Sequence, residues 1–127
     1  MKLGIDFDGT IVRHEYPEVG IPNPGAIEYM KKFKENGAKL ILWTMRDGPE
    51  LAEAVEYCRK NGVVFDSVNA GIGDRHWTQS PKAHCNIYID DAAYGCPLIR
   101  AINPKYRPMV DWEQVGPGVL ALMGVDE

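Results

Sequence analysis

The sequence predicts an α/β fold: one domain over all 127 residues, with a central, mainly parallel sheet flanked by helices. Three observations predict it. Short apolar runs of strand length recur at Lys2–Ile5, Lys39–Thr44, Val63–Phe65 and Asn86–Ile89. Segments of helical periodicity separate the first three of them. The second run, Lys39-Leu40-Ile41-Leu42-Trp43-Thr44, is apolar throughout its middle, as a strand buried on both faces of a parallel sheet must be.

Each element follows in order. The first strand, with Leu3, Ile5 and Phe7, runs out into Asp6 and Asp8, and a loop rich in Pro, Gly and charge covers Arg13 to Pro22. Asn23-Pro24 then offers an N-cap followed by proline at the first helical position. Ile27, Met30 and Phe33 carry the helical period until Asn36-Gly37 stops it. After the second strand, a helix is predicted from Pro49 to Asn61, with Leu51, Ala54, Val55 and Cys58 inward and Gly62 as its stop. The third strand begins at Val63-Val64-Phe65, and the fourth ends in Asp90-Asp91. Asp111 caps a last helix carrying Trp112, Val115, Val119, Leu120 and Leu122, weakened at Gly116-Pro117-Gly118. The segment from Tyr94 to Met109 suggests neither element nor function.

Composition narrows the function. The formal net charge of −4 argues against broad electrostatic binding to nucleic acid or an anionic membrane. No apolar run approaches the roughly 20 residues that span a bilayer, and a strand follows Met1 at once, where a signal peptide would stand. Cys58, Cys85 and Cys96 are an odd set without CxxC spacing, so reduced thiols in a cytoplasmic protein are expected.

The strand ends carry the chemistry. Asp6 and Asp8 lie two residues apart, on one face of the strand, with Phe7 on the other. Two such charges a few ångströms apart repel by about 4 kcal/mol at an effective dielectric near 20, which a divalent cation or a shared proton must offset. Ligands of open α/β sheets bind beyond the carboxyl ends of the strands. Asp6 and Asp8, Thr44, and Asp90-Asp91 all end strands and would face one crevice, with Lys82 nearby. Hard oxygen ligands suit Mg²⁺. A hydroxyl and an ammonium serve the oxygens of a phosphoryl group, and Gly9 lets backbone amides approach it. The ensemble describes phosphoryl transfer with a carboxylate as nucleophile.

Asp6-Phe7-Asp8-Gly9-Thr10 resembles the first motif of the haloacid dehalogenase (HAD) superfamily of phosphotransferases. Ile41–Thr44 is similar to its second motif, Lys82 to its third, and Ile89-Asp90-Asp91 to the adjacent-acid form of its fourth. The resemblance covers about Lys2 to Asp91. It implies a three-layer Rossmann-like fold and a Mg²⁺-dependent phosphatase that hydrolyses a phosphate monoester through an aspartyl-phosphate. Asp6 would be the nucleophile and Asp8 the acid and base. Mg²⁺ would sit on the Asp6 carboxylate, the Asp8 main-chain carbonyl and a fourth-motif carboxylate, Asp91 in preference to Asp90. Thr44, Lys82 and Gly9 would hold the phosphate. Neither Ile11–Pro22 nor Asn69–Pro81 is long enough to fold as a cap domain, so the chain resembles the capless class. Open sites of that class take bulky phosphorylated substrates or borrow closure from another subunit, here a homo-oligomer. Arg46, His76 and Trp77, with the rest of Gly71–Trp77, are then the specificity candidates. Two other readings are a HAD-like binding module without turnover and a receiver-like phospho-acceptor domain. The acceptor of a receiver should end the third strand, whereas here the acids crowd the first.

Overall fold

A computed structural model describes residues 1–73 and 76–125. It contains strand β1 (Lys2–Ile5), helix α1 (Ala26–Glu35), β2 (Lys39–Leu42), α2 (Gly48–Lys60), β3 (Ser67–Val68), β4 (Ile87–Ile89), β5 (Leu98–Ile99), β6 (Met109–Val110) and α3 (Trp112–Leu122). The central sheet is parallel throughout, in the order β3-β2-β1-β4. The fold is Rossmann-like and three-layered. Leu3, Ile5 and Phe7 alternate with Gly4 and Asp6, and they join Leu40 and Leu42 in a core with Met30 and Phe33 of α1, Cys58 of α2 and Trp112 and Leu120 of α3. On the other face Ile41 is covered by coil carrying Ala83, Cys85 and Ile72.

The helix stops lie where their glycines predict. Gly37 and Gly62 take positive φ (93° and 87°), and the next amides, Ala38 and Val63, reach back to the Phe33 and Cys58 carbonyls. The start of α1 departs from the expectation. Gly25, not Asn23, is the N-cap residue. Asn23 is buried, and its side-chain amide donates to the carbonyls of Thr10 (2.9 Å) and Val110 (2.8 Å), so a tertiary bridge has claimed the capping group. The third strand also moves. Residues 63–65 are still climbing away from the end of α2, with Val64 exposed, and pairing with β2 begins only when the Asp66 amide meets the Leu40 carbonyl. The strand is therefore Ser67–Val68.

Tyr94–Met109, silent in the sequence, contains all but Val110 of an antiparallel pair, Leu98–Ile99 against Met109–Val110. The Val110 amide donates to the Gly9 carbonyl, which ties this pair to the loop after β1. Helix α3 keeps its glycines and proline. Asp111 caps it by accepting the Glu113 amide (3.1 Å), and Gly116 lets α1 approach so closely that a Cβ there would lie 2.4 Å from the Tyr29 ring.

Candidate active site

β1, β2 and β4 end side by side, so three chain segments deliver their acids and hydroxyl to one edge. Asp6, Asp90 and Asp91 offer carboxylate oxygens that all lie within 4.8 Å of one another. Thr10 stitches them. Its buried hydroxyl donates to Asp6 Oδ2 and accepts the Asp91 amide, both at 3.1 Å. The Thr10 carbonyl is fixed in turn by the Asn23 amide and by Trp112 Nε1 (2.8 Å). The hydroxyl and carbonyl of Thr10 are thus both engaged, and they tie the Asp6 carboxylate to the Asp91 main chain.

The electrostatics follow from this crowding. Burial, then the Asp90 and Asp91 carboxyls, push Asp6 up to about 8 from an ordinary 3.8. Burial raises Asp91 as well. Protein alone thus makes the group reluctant to carry its full negative charge, and a cation among these oxygens would reverse that preference. Three carboxylates converging on one point fit a hard divalent ion such as Mg²⁺.

Asp8 does not join the cluster by its side chain. Both of its oxygens meet Arg46, Nε to Oδ2 and Nη2 to Oδ1, each at 2.8 Å. Its carboxylate still lines a cavity of about 450 Å³ together with Asp6, Thr44, Asp90 and Asp91. Asp8 and Thr44 are therefore on the predicted crevice. The Thr44 amide donates to Asn69 Oδ1 (2.8 Å), which places the residue at the mouth between β2 and β3. Lys82 lies on an adjoining wall, in a hollow shared with Asp6, Asp90 and Trp43, with its ammonium 5.0 Å from the centre of the Tyr88 ring.

Two sequence expectations need correction. Arg46 borders the same cavity, but it is 1% exposed and all five of its N–H donors are engaged within the protein, which leaves none over for a substrate. Gly9 does not present its amide to a ligand, since that N–H donates to the Val12 carbonyl (2.8 Å). It is needed for space. With φ at +84°, a Cβ at Gly9 would lie 2.2 Å from Asp91 Oδ2. Trp77 is exposed and stacks edge-on against His84, in a hollow that shares Lys82 and Tyr88 with the acidic site but not the acids. His76 is exposed in the same loop. Asp74 and Arg75, also on the predicted contact loop, lie outside the described residues.

Other site residues had been passed over. Arg107 lines the cavity, carried there by the β5–β6 segment, and its charge favours the ionised form of Asp91. His14 and Tyr16 line it from the loop after β1. Asn69 carried a readable signal: it ends the third strand on the same sheet edge, and asparagine tolerates the left-handed backbone it adopts (φ 51°). Arg107 carried none, because nothing local shows where an irregular segment will return.

No protein-family model and no curated protein matches the chain. A solved structure of a conserved protein from Bacteroides thetaiotaomicron is similar to it, at 33% identity and a TM-score of 0.79. The similarity covers 96% of this chain and 91% of that one.

Proposed function

We propose that this chain, which belongs to the family of the conserved Bacteroides thetaiotaomicron protein, is a Mg²⁺-dependent, HAD-like phosphatase acting on a phosphate monoester. The observation that carries the reading is the convergence of Asp6, Asp90 and Asp91 within 4.8 Å, beside Thr44 and Asp8 in one cavity. Asp6, Asp91 and Asp90 would hold Mg²⁺, which supplies positive charge to the carboxylates and to the phosphoryl oxygens when bound.

The residues then have separate tasks. Thr10 holds one oxygen of Asp6 while the other attacks phosphorus, forming an aspartyl-phosphate. The Thr44 hydroxyl donates a hydrogen bond to the phosphoryl group, and Arg107 in this cavity and Lys82 in the adjoining hollow add positive charge. Asp8 protonates the departing ester oxygen, then takes a proton from the water that hydrolyses the aspartyl-phosphate. Among the described residues no inserted domain covers the cavity, which suits a substrate whose phosphate protrudes from a larger body. A receiver-like reading finds little support, since β3 runs into Asn69 where an acceptor acid would be needed.

The test is direct. Hydrolysis of p-nitrophenyl phosphate should need Mg²⁺ and stop in chelator, and Asp6→Asn should fold yet lose at least about a thousandfold in kcat. Equal rates in chelator, or an active Asp6→Asn enzyme, would remove the mechanism.

A further inference from the structure

Arg46 is almost fully buried at 1% exposure. A guanidinium has five N–H donors. Here Nε and one Nη2 hydrogen go to the two oxygens of Asp8, and the other Nη2 hydrogen goes to the Glu18 carbonyl at 2.8 Å. The two Nη1 hydrogens go to the carbonyls of Pro17 and Glu50, each at 3.1 Å. Phe7 lies against the same group, 4.9 Å from ring centre to Cζ, and Tyr16 at 5.1 Å. Arg46 therefore joins three separate pieces of chain: the turn after β1, the loop that walls the cavity, and the first turn of α2.

A two-pronged contact does more than neutralise a charge. It fixes the plane of the carboxylate and the direction of its remaining lone pairs. The Asp8 side chain is 12% exposed, and Asp8 lines the cavity that holds Asp6.

We propose that Arg46 is a positioning residue, which aims the Asp8 carboxyl group, its proton on a lone pair outside the fork, at the leaving-group oxygen and clasps the 13–22 loop as the wall beside it. The proposal rests on the phosphatase reading and adds a residue to it. Arg46 touches no reacting atom; it acts through Asp8.

Arg46→Lys keeps the charge and discards the fork, so it separates aim from charge. p-Nitrophenolate departs with little help, whereas the more basic phenolate of phenyl phosphate needs the proton from Asp8. Arg46→Lys should therefore lose at least about tenfold more kcat/KM, which reports leaving-group departure and not hydrolysis of the shared aspartyl-phosphate, on phenyl phosphate than on p-nitrophenyl phosphate. The ratio between substrates does not depend on how much protein is folded, so a destabilised variant still answers the question. In an Asp8→Asn background, Arg46→Lys should not change that ratio further. An equal fall on both substrates in Arg46→Lys, or a further change of ratio in the double variant, would overturn the proposal. If the wild type needs Mg²⁺ and Asp6→Asn is dead while the ratio stays constant, Arg46 alone has been misassigned. If Asp6→Asn remains active, both ideas fall together.

Discussion

Asp6 is held where burial and two neighbouring carboxyls oppose its ionisation, yet attack on phosphorus requires the carboxylate. This conflict makes a pH signature. The unfolded chain releases the Asp6 proton near 3.8 and the folded chain near 8. Between those values the folded state holds a proton that the unfolded state has lost, so stability is full below about 3.8 and declines as pH rises through 8. In chelator, the melting temperature of the wild type should fall across this window, and Asp6→Asn, which carries no charge, should flatten the fall. Parallel curves for the two proteins would contradict the burial of Asp6. At the same scale, Gly9 shows what sequence could and could not say. The DFDGT pattern made it legible as a special position, but its partner across space, Asp91, became known only from the fold.

At the scale of elements, α3 is joined to the site through its ends and its middle. Asp111 caps it, Trp112 donates to the Thr10 carbonyl, and Gly116 takes the Tyr29 ring of α1. The glycine looked like a weakness in the sequence, yet its missing Cβ is what permits the contact. Gly116→Ala should accordingly destabilise, by about 1–3 kcal/mol from overpacking against a helix-propensity gain of at most about 1 kcal/mol. Urea denaturation would measure it, and a more stable variant would show that the two helices do not meet there. Helix periods, stops and the α3 cap were legible because each depends on residues within a turn or two of one another. The displaced start of α1 was not. Asn23 reads as a cap locally, and only its hydrogen bonds to the carbonyls of Thr10 and of Val110, 87 residues away, explain why it is spent elsewhere.

The whole molecule places its acids, half-buried, at one end of a parallel sheet beside an open cavity. An ion bound there would bind the folded state alone, because the unfolded chain separates Asp6 from Asp90 and Asp91. Mg²⁺ at about a hundredfold above its Kd should stabilise the protein by roughly 2.7 kcal/mol, raising the melting temperature by about 5–10 °C. The shift should shrink in Asp6→Asn. No shift at pH 8 with millimolar Mg²⁺ would argue that the three carboxyls do not hold the ion. No helix among the described residues is long and apolar enough to cross a membrane.

The sequence by itself determined the alternation of strand and helix and the placing of acids and a threonine at the carboxyl ends of neighbouring strands. Those features are periodic or contiguous, and parallel topology converts strand ends into a common edge. The tertiary structure alone decided that Arg46 faces inward to Asp8, 38 residues away, that Arg107 returns to the cavity, and that Thr10 spaces Asp6 from Asp91. Hydrogen-bond partners and burial are properties of packed space, and a charged residue in a chain carries no local mark of whether water or a carboxylate will meet it.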